Sequence, residues 1–285
     1  MDDPDLTELK YCILNPTGNI TALVETSVPK ERQPLLSARI MERHPEVEQV
    51  GFVSFGGNGD VSGSLRMAAG EFCGNASMCA AALYLMRRGE QDLPRDGWET
   101  VKLRVSGASE PVEIRLKKES SSGCFLCSIA MPPALKTEFR PFSFGELSED
   151  LPVVFMQGIS HIIIEKESAF YGLLSQKETA GQAVREWCRL LSADGLGLIF
   201  LGGSGGSPSA GPGIRDLTPL VFVPGIDSLF WENSCASGTA AAGIYLASKA
   251  GEAADIFFRE PGGVLRATSD PVSGITLLGG RVSLS

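Results

Sequence analysis

Histidine is nearly absent from this sequence: His44 and His161 are the only two in 285 residues. A zinc site would therefore fall to cysteines, and Cys124-Phe125-Leu126-Cys127 is a lone pair with no second pair at ligand spacing. It also lies in an apolar, strand-like run from Cys124 to Met131, where its two thiols need not face the same way. Basic runs are missing too, and the formal net charge of −9 argues against a nucleic-acid or anionic-membrane partner. No window approaches the roughly 20 apolar residues of a membrane span. The acidic opening Met1-Asp2-Asp3-Pro4-Asp5 has neither the positive n-region nor the apolar stretch of an export signal, so the expected location is cytoplasmic. Seven cysteines, an odd number, fit reduced thiols better than a disulfide framework. The glycine-rich stretch from Gly202 to Ser207 lacks the Lys-Ser/Thr of a phosphate-binding loop and precedes no helical pattern. It reads as a flexible loop reaching Gly213.

What remains is an ordinary globular composition, 43% hydrophobic and 21% charged, long enough for two domains with a sizeable core. Short strand-like runs dominate. In the first half they are Lys10 to Leu14, Thr21 to Glu25, Val50 to Phe55 (ending in the loop Gly56 to Asp60), Ser62 to Met67, Val101 to Val105, Val112 to Leu116 and Cys124 to Met131. Helical spacing covers Pro34 to Arg43 and about Asn75 to Arg88, the latter closed by Gly89. Pro132-Pro133 and the polar stretch behind it are the candidate linker. The second half repeats the pattern, with strands at Val153 to Met156, Ser160 to Ile164, Leu196 to Leu201 and Leu217 to Val223, and a helix over Thr179 to Leu191. A second apolar helix runs to about Lys249, and four short strands follow: Asp255 to Arg259, Val264 to Thr268, Ile275 to Leu278 and Arg281 to Leu284.

The informative feature is a repeat. Phe72-Cys73-Gly74-Asn75-Ala76 and Ser234-Cys235-Ala236-Ser237-Gly238-Thr239 each place one cysteine at the start of a small-residue helix, more than half the chain apart. A helix apolar on every face must be buried, and an antiparallel sheet around a central helix is the simplest way to bury it. The expectation is an α+β fold of two similar halves, residues 1–133 and 134–275, with a last strand at about 276–285 packing on the first half.

A helix N-terminus lowers a thiol's pKa and points backbone N–H groups at a ligand carboxylate. Gly74, Gly238 and the small residues beside them would let a ligand approach the backbone. Two such thiols acting on one α-carbon define a two-base proton transfer, one as thiolate and the other as thiol, with carbanionic charge stabilised by oriented N–H groups. That chemistry needs no cofactor, and neither a pyridoxal phosphate signature nor a metal cluster is evident. Cys79, one and a half turns into its helix, reads as packing. His161 either meets a ligand or is a satisfied strand histidine. Phe72 and Trp231 either wall a pocket or pack.

These motifs resemble the paired cysteine motifs of the diaminopimelate epimerase family, which are cofactor-independent racemases and epimerases with a duplicated fold of two barrel-like halves, each around a central helix. Gly18-Asn19 is similar to the family's N-terminal Gly-Asn, and Ser160-His161 to its Asn-Pro-His segment. The resemblance implies Cys73 and Cys235 as acid and base. It implies a substrate pocket drawn from Asn19, Gly74, Asn75, His161, Glu232, Asn233, Ala236, Ser237 and Gly238. Two matches are missing: no Asn stands in Leu65 to Phe72, and no Arg in Phe230 to Ser234. The grip on the distal end of diaminopimelate is thus unmatched, and a different amino acid such as histidine is expected. The first motif, Gly70-Glu71-Phe72-Cys73-Gly74-Asn75, is similar to that of the histidine racemase branch. Alternatives are diaminopimelate epimerase itself, an isomerase of the proline racemase or phenazine-biosynthesis type, a thiol hydrolase using His161, and a non-catalytic binder. The expected partner is a small amino-acid substrate, with a homodimer as the possible assembly.

Overall fold

The computed structural model describes residues 9–56, 60–89, 97–119, 123–205 and 213–285. In chain order the elements are β1 (Tyr11–Pro16), β2 (Thr21–Val24), α1 (Gln33–Arg43), β3 (Gln49–Phe55), β4 (Gly63–Met67), α2 (Gly74–Arg88), β5 (Glu99–Val105), β6 (Val112–Lys118) and β7 (Phe125–Ala130). They continue with β8 (Lys136–Phe144), β9 (Leu147–Met156), β10 (Ile159–Glu165), α3 (Lys177–Leu191), β11 (Leu196–Gly205), β12 (Ile214–Val223), β13 (Ser228–Trp231), α4 (Ala236–Ala250), β14 (Ala254–Glu260), β15 (Gly263–Ser269) and β16 (Thr276–Leu284). Two compact units result, Met1–Ala130 with Gly279–Ser285, and Met131–Leu278.

The first unit is an eight-stranded closed barrel. Its strands run β1-β2-β3-β4-β5-β6-β7-β16, and antiparallel pairing of β1 with β16 (Leu14 opposite Leu284) shuts the ring. Period-two alternation splits the strands between two faces. Ala22, Val24, Val50 and Phe52 turn outward under Leu36 and Ile40 of α1, the crossover between the parallel strands β2 and β3. Leu23, Leu65 and Met67 turn inward, so close around Gly51 that a Cβ there would stand 2.7 Å from Leu65 Cδ1. Helix α2 touches β1 through β7. It can do so because its side chains are small: Ala76, Ser77, Ala80, Ala81 and Ala82 are all fully buried. Arg87 and Arg88 in its last turn suit the negative helix end and pair with Glu25 and Glu99.

The second unit is an open mixed sheet ordered β8-β9-β10-β11-β12-β14-β15, with β13 hairpinned onto β12. Its two parallel pairings, β10 with β11 and β12 with β14, are joined by the helical crossovers α3 and α4. The apolar run of β10 is therefore buried on both sides. Ile162 and Ile164 pack with Trp187, Phe142 and Phe170 on the α3 side. Ile163 packs with Ala241, Ala242 and Tyr245 on the α4 side.

Three expectations change. The polar stretch after Pro132-Pro133 is strand β8, an edge strand whose residues are mostly exposed and of which only Phe142 is buried. Its pairing with β9 from Lys136–Phe155 to Phe144–Leu147 holds it in place, not an apolar pattern. Gly202 to Gly205 continue β11 past an irregularity between Leu201 and Ser204, so the flexible-loop reading fails there. Its remainder, residues 206–212, lies outside the described residues. The loop reading at Gly57 to Gly59 also lies outside them. The two final strands are one, since Gly279 and Gly280 are extended within β16. Among the described residues no helix is long and apolar enough to cross a membrane, and no cluster of metal-binding side chains occurs.

Candidate active site

In the first unit Cys73 is the residue that caps α2. Its backbone is extended (φ −134°, ψ 115°), and its Sγ accepts the Ala76 N–H at 3.4 Å. The thiol donates to Gln49 Oε1 at 3.1 Å. Gln49 Nε2 then donates to Thr21 Oγ1 (2.7 Å), whose hydroxyl donates to the Asn19 carbonyl (2.9 Å). Asn19 and Asn75 are both buried and joined side chain to side chain at 3.3 Å, and Asn19 Nδ2 donates to Glu48 Oε2 at 2.7 Å. Three residues expected from the sequence, Asn19, Cys73 and Asn75, thus belong to one polar network at the helix start, with Gly74 as the first helical residue. Cys79 is fully buried, and burial pushes its thiol well up, in keeping with packing.

The segment entering Cys73 is held from outside the helix. The Ser106 hydroxyl donates to the Glu71 carbonyl at 2.8 Å, and Gly107, at φ +76°, lies so close that a Cβ would stand 2.3 Å from Phe72 N. Gly107→Ala is expected to lower stability by about 2–4 kcal/mol, from left-handed strain plus a clash with backbone that cannot yield. Gly158→Ala, at φ +79° with open space around it, bears the strain alone and is expected to cost about 1–2 kcal/mol. Urea titrations of the two variants measure the difference, and equal losses would disprove the seating contact.

In the second unit Cys235 caps α4 in the same manner (φ −125°, ψ 102°), with Sγ accepting the Gly238 N–H at 3.4 Å and lying 3.6 Å from Ser237 Oγ. The Glu232 side chain hydrogen-bonds the thiol. The buried Glu260 carboxylate accepts the Cys235 N–H at 2.6 Å through Oε2 and hydrogen-bonds the Thr239 hydroxyl through Oε1. The Asn233 carbonyl accepts Gly262 N–H at 2.8 Å, and Ala236 opens the helix.

Two expectations are corrected here. The helix end does not leave the Cys235 thiol acidic: burial drives its pKa well above the usual value, and Glu232 and Glu260 add to the rise. Gly238 does not open the backbone to a ligand. A Cβ there would stand 2.5 Å from Ile199 Cδ1, so the glycine lets α4 approach β11. Trp231 stacks on Phe200 (5.7 Å, 22°) in the α3-side core, so it packs.

His161 lies on β10 with the parity of Ile163 and therefore faces the α4 side of the sheet. Its register partner on β11 is Gly197, where a Cβ would sit 2.3 Å from His161 Nδ1, so the glycine makes room for the ring. The ring is fully buried, neither nitrogen has a hydrogen-bond partner among the described residues, and burial lowers its pKa to about 3. It is a neutral imidazole, not the satisfied strand histidine.

The family model described as the histidine racemase CntK N-terminal domain matches residues 8–277. The chain belongs to the histidine racemase family. A histidine racemase of Fusobacterium nucleatum subsp. nucleatum is 30% identical to it over 253 residues, which are 86% of this chain and 83% of that one. Two solved structures share the fold at low identity. A predicted epimerase from Pseudomonas aeruginosa has a TM-score of 0.62 at 15% identity, covering 98% of this chain and 97% of that one. A probable proline racemase from Agrobacterium radiobacter has a TM-score of 0.59 at 14% identity, covering 97% and 91%. The fold is proline-racemase-like, and the family is one of amino-acid racemases.

Within this histidine racemase family member, sequence reading missed Gln49, Glu48, Thr239 and Glu260. Gln49 opens a strand, Glu48 precedes it, and both look like solvent-facing polar residues until β3 is paired beside β2. Glu260 had a signal: at the end of a strand whose Arg259 faces outward to Asp216, alternation turns Glu260 inward.

Proposed function

We propose that this chain interconverts the two enantiomers of histidine by a two-base proton transfer between Cys73 and Cys235, without a cofactor. One observation carries the reading. Both cysteines occupy the N-cap of a buried small-residue helix, both are extended, and both sulfurs take the N–H three residues ahead at 3.4 Å. One capping thiol at the start of each of two helices is what a two-base 1,1-proton transfer calls for.

The thiolate of one cysteine takes the α-proton, forming an S–H bond as the C–H bond breaks. The electron pair left on carbon is stabilised by N–H donors that also hold the carboxylate. The other thiol then delivers its proton to the opposite face, and the roles are exchanged for the reverse direction. Asn19, Asn75, His161, Glu232, Asn233, Ala236 and Ser237 are read as substrate-positioning groups. The reading requires both sulfurs to reach one α-carbon. Histidine is favoured over diaminopimelate by the named relatives and by the missing Asn and Arg, because a distal charge without its partner is costly to bury. On this reading the two units are copies of one pattern, each with its helix as axis, as in the diaminopimelate epimerase family.

The test is incubation of the purified protein with single L-amino acids in heavy water. α-Deuterium appearing together with loss of optical rotation, for histidine well ahead of diaminopimelate, is the expected result. Exchange with no amino acid would leave a binding protein, and preferential exchange with diaminopimelate would overturn the substrate assignment.

A further inference from the structure

The two cysteines share a capping geometry but not an electrostatic setting. Ser77, the fourth helical residue of α2, turns its hydroxyl back to the Cys73 carbonyl at 2.7 Å, and the Cys73 thiol meets the neutral amide of Gln49. Thr239, the fourth helical residue of α4, gives its hydroxyl to Glu260 instead. Glu260 also takes the backbone N–H of Cys235 at 2.6 Å, and two residues later Gly262 N–H grips the Asn233 carbonyl. The turn after β14 therefore clamps the segment carrying Cys235 at two points. A carboxylate is an unusual choice for that clamp, because any neutral acceptor would serve the backbone N–H. What a carboxylate adds is a charge that can come and go, buried beside a thiol that already meets Glu232.

We infer that Glu260 is a positioning residue for Cys235: it pins the thiol-bearing turn, and once ionised, above neutrality, it joins Glu232 in holding the proton on that sulfur, so that Cys235 stays the thiol as pH rises. The inference rests on the proposed role of Cys235 in proton transfer. Among the described residues, the ionisable groups at this end of α4 are Glu232 ahead of the helix, Glu260 behind it, and the neutral His161 on the sheet face that receives α4. Arg259, next to Glu260, turns outward to Asp216 at 3.1 Å and offers no compensating charge. Burial raises the Glu260 carboxyl to about 8, with Glu232 adding to the rise, so its charge appears only above neutrality.

The experiment is peptide-resolved alkylation of the full chain by iodoacetamide, comparing the parent with Glu260→Gln. The variant keeps an acceptor for the Cys235 N–H and removes the charge. A neighbouring like charge raises a thiol by about one pH unit or more, which is roughly tenfold in thiolate at fixed pH. At pH 9 the Cys235 rate is expected to rise about tenfold in Glu260→Gln, while at pH 6, where Glu260 is neutral in the parent, the ratio returns to about one. The Cys73 rate should not change at either pH. A purely structural clamp would raise the Cys235 rate by the same factor at both pH values, and that result, or no change at all, would overturn the inference. Should Glu260→Gln not fold, Thr239→Val decides: losing its hydroxyl donor leaves Glu260 harder to ionise, which is expected to raise the pH 9 rate in the same direction by a smaller factor. A Thr239→Val profile that overlays the parent's would count against the inference. No substrate enters these measurements, so they stand or fall apart from the heavy-water assay.

Discussion

Cys73→Ser and Cys235→Ser are each expected to reduce racemisation by about 10²–10⁴-fold, the range a single positioned acid or base contributes. Serine keeps the capping role, because its Oγ can still accept the Ala76 or Gly238 N–H. The fold should therefore persist, and only the acid–base function is lost, a hydroxyl being far too weak an acid to exist as a base near neutrality. The pair carries more information than either variant alone. A protein left with one thiol can still remove a proton from one face of the α-carbon and return a deuteron to that same face. Cys73→Ser should thus retain slow α-exchange, without inversion, on one enantiomer of the substrate, and Cys235→Ser on the other. Proton NMR of separate D- and L-histidine samples in heavy water reads this directly. Near-parental racemisation in both variants would end the two-thiol mechanism, and residual exchange on the same enantiomer in both would show that the two thiols do not serve opposite faces of the carbon.

That expectation grew from a motif legible without any structure. The cysteine ahead of a small-residue helix is a local signal: capping, helix propensity and burial are all fixed within about fifteen residues, and both helices fall within a residue or two of where the pattern puts them. The strand-like run Ser160 to Ile164, which lies within β10, was legible for the same reason. What the chain conceals is non-local. Strand β8 carries almost no buried side chain, so nothing in its own pattern announces it, and its existence depends on β9 alongside. Gln49, Glu48 and Glu260 are ordinary polar residues until strand pairing brings them to a helix end. Gly197 and Gly107 look like loop or strand glycines, and only the register that sets one against His161 and the other against Phe72 explains them. The thiol's acidity was misjudged for a related cause. A helix end is a local property, but the desolvation and the two carboxylates that outweigh it at Cys235 come from elsewhere in the chain.

The same desolvation predicts a pH profile of stability with two separable limbs. His161 has a folded pKa of about 3 against an ordinary 6.5. Between those values the unfolded chain carries a proton that the folded chain refuses, so this group makes stability rise with pH by about 1.4 kcal/mol per unit, reaching about 5 kcal/mol over the window. Glu260 works in the opposite sense. Its carboxyl stays protonated in the fold up to about 8 against an ordinary 4.5, so over that window the folded chain holds a proton the unfolded chain has released, and stability falls as pH rises by a similar amount. Their combined contribution climbs from pH 3 to 4.5, is level from 4.5 to 6.5 where the slopes cancel, and declines to pH 8. His161→Leu should abolish the climb, so that the variant gains on the parent at every step below pH 6.5. Glu260→Gln should abolish the decline, gaining on the parent from pH 4.5 to 8. Denaturant titrations at half-unit pH intervals give both differences free of the other carboxylates, which are common to all three proteins. Curves parallel to the parent's would mean that neither group is desolvated as described. The same substitutions give a functional reading, because the buried imidazole weakens the fold below pH 6.5 and the buried carboxyl beside a thiol weakens it above pH 4.5. If the variants are more stable and slower to racemise, the instability belongs to the site's chemistry; if they are more stable and equally active, His161 and Glu260 lie outside it.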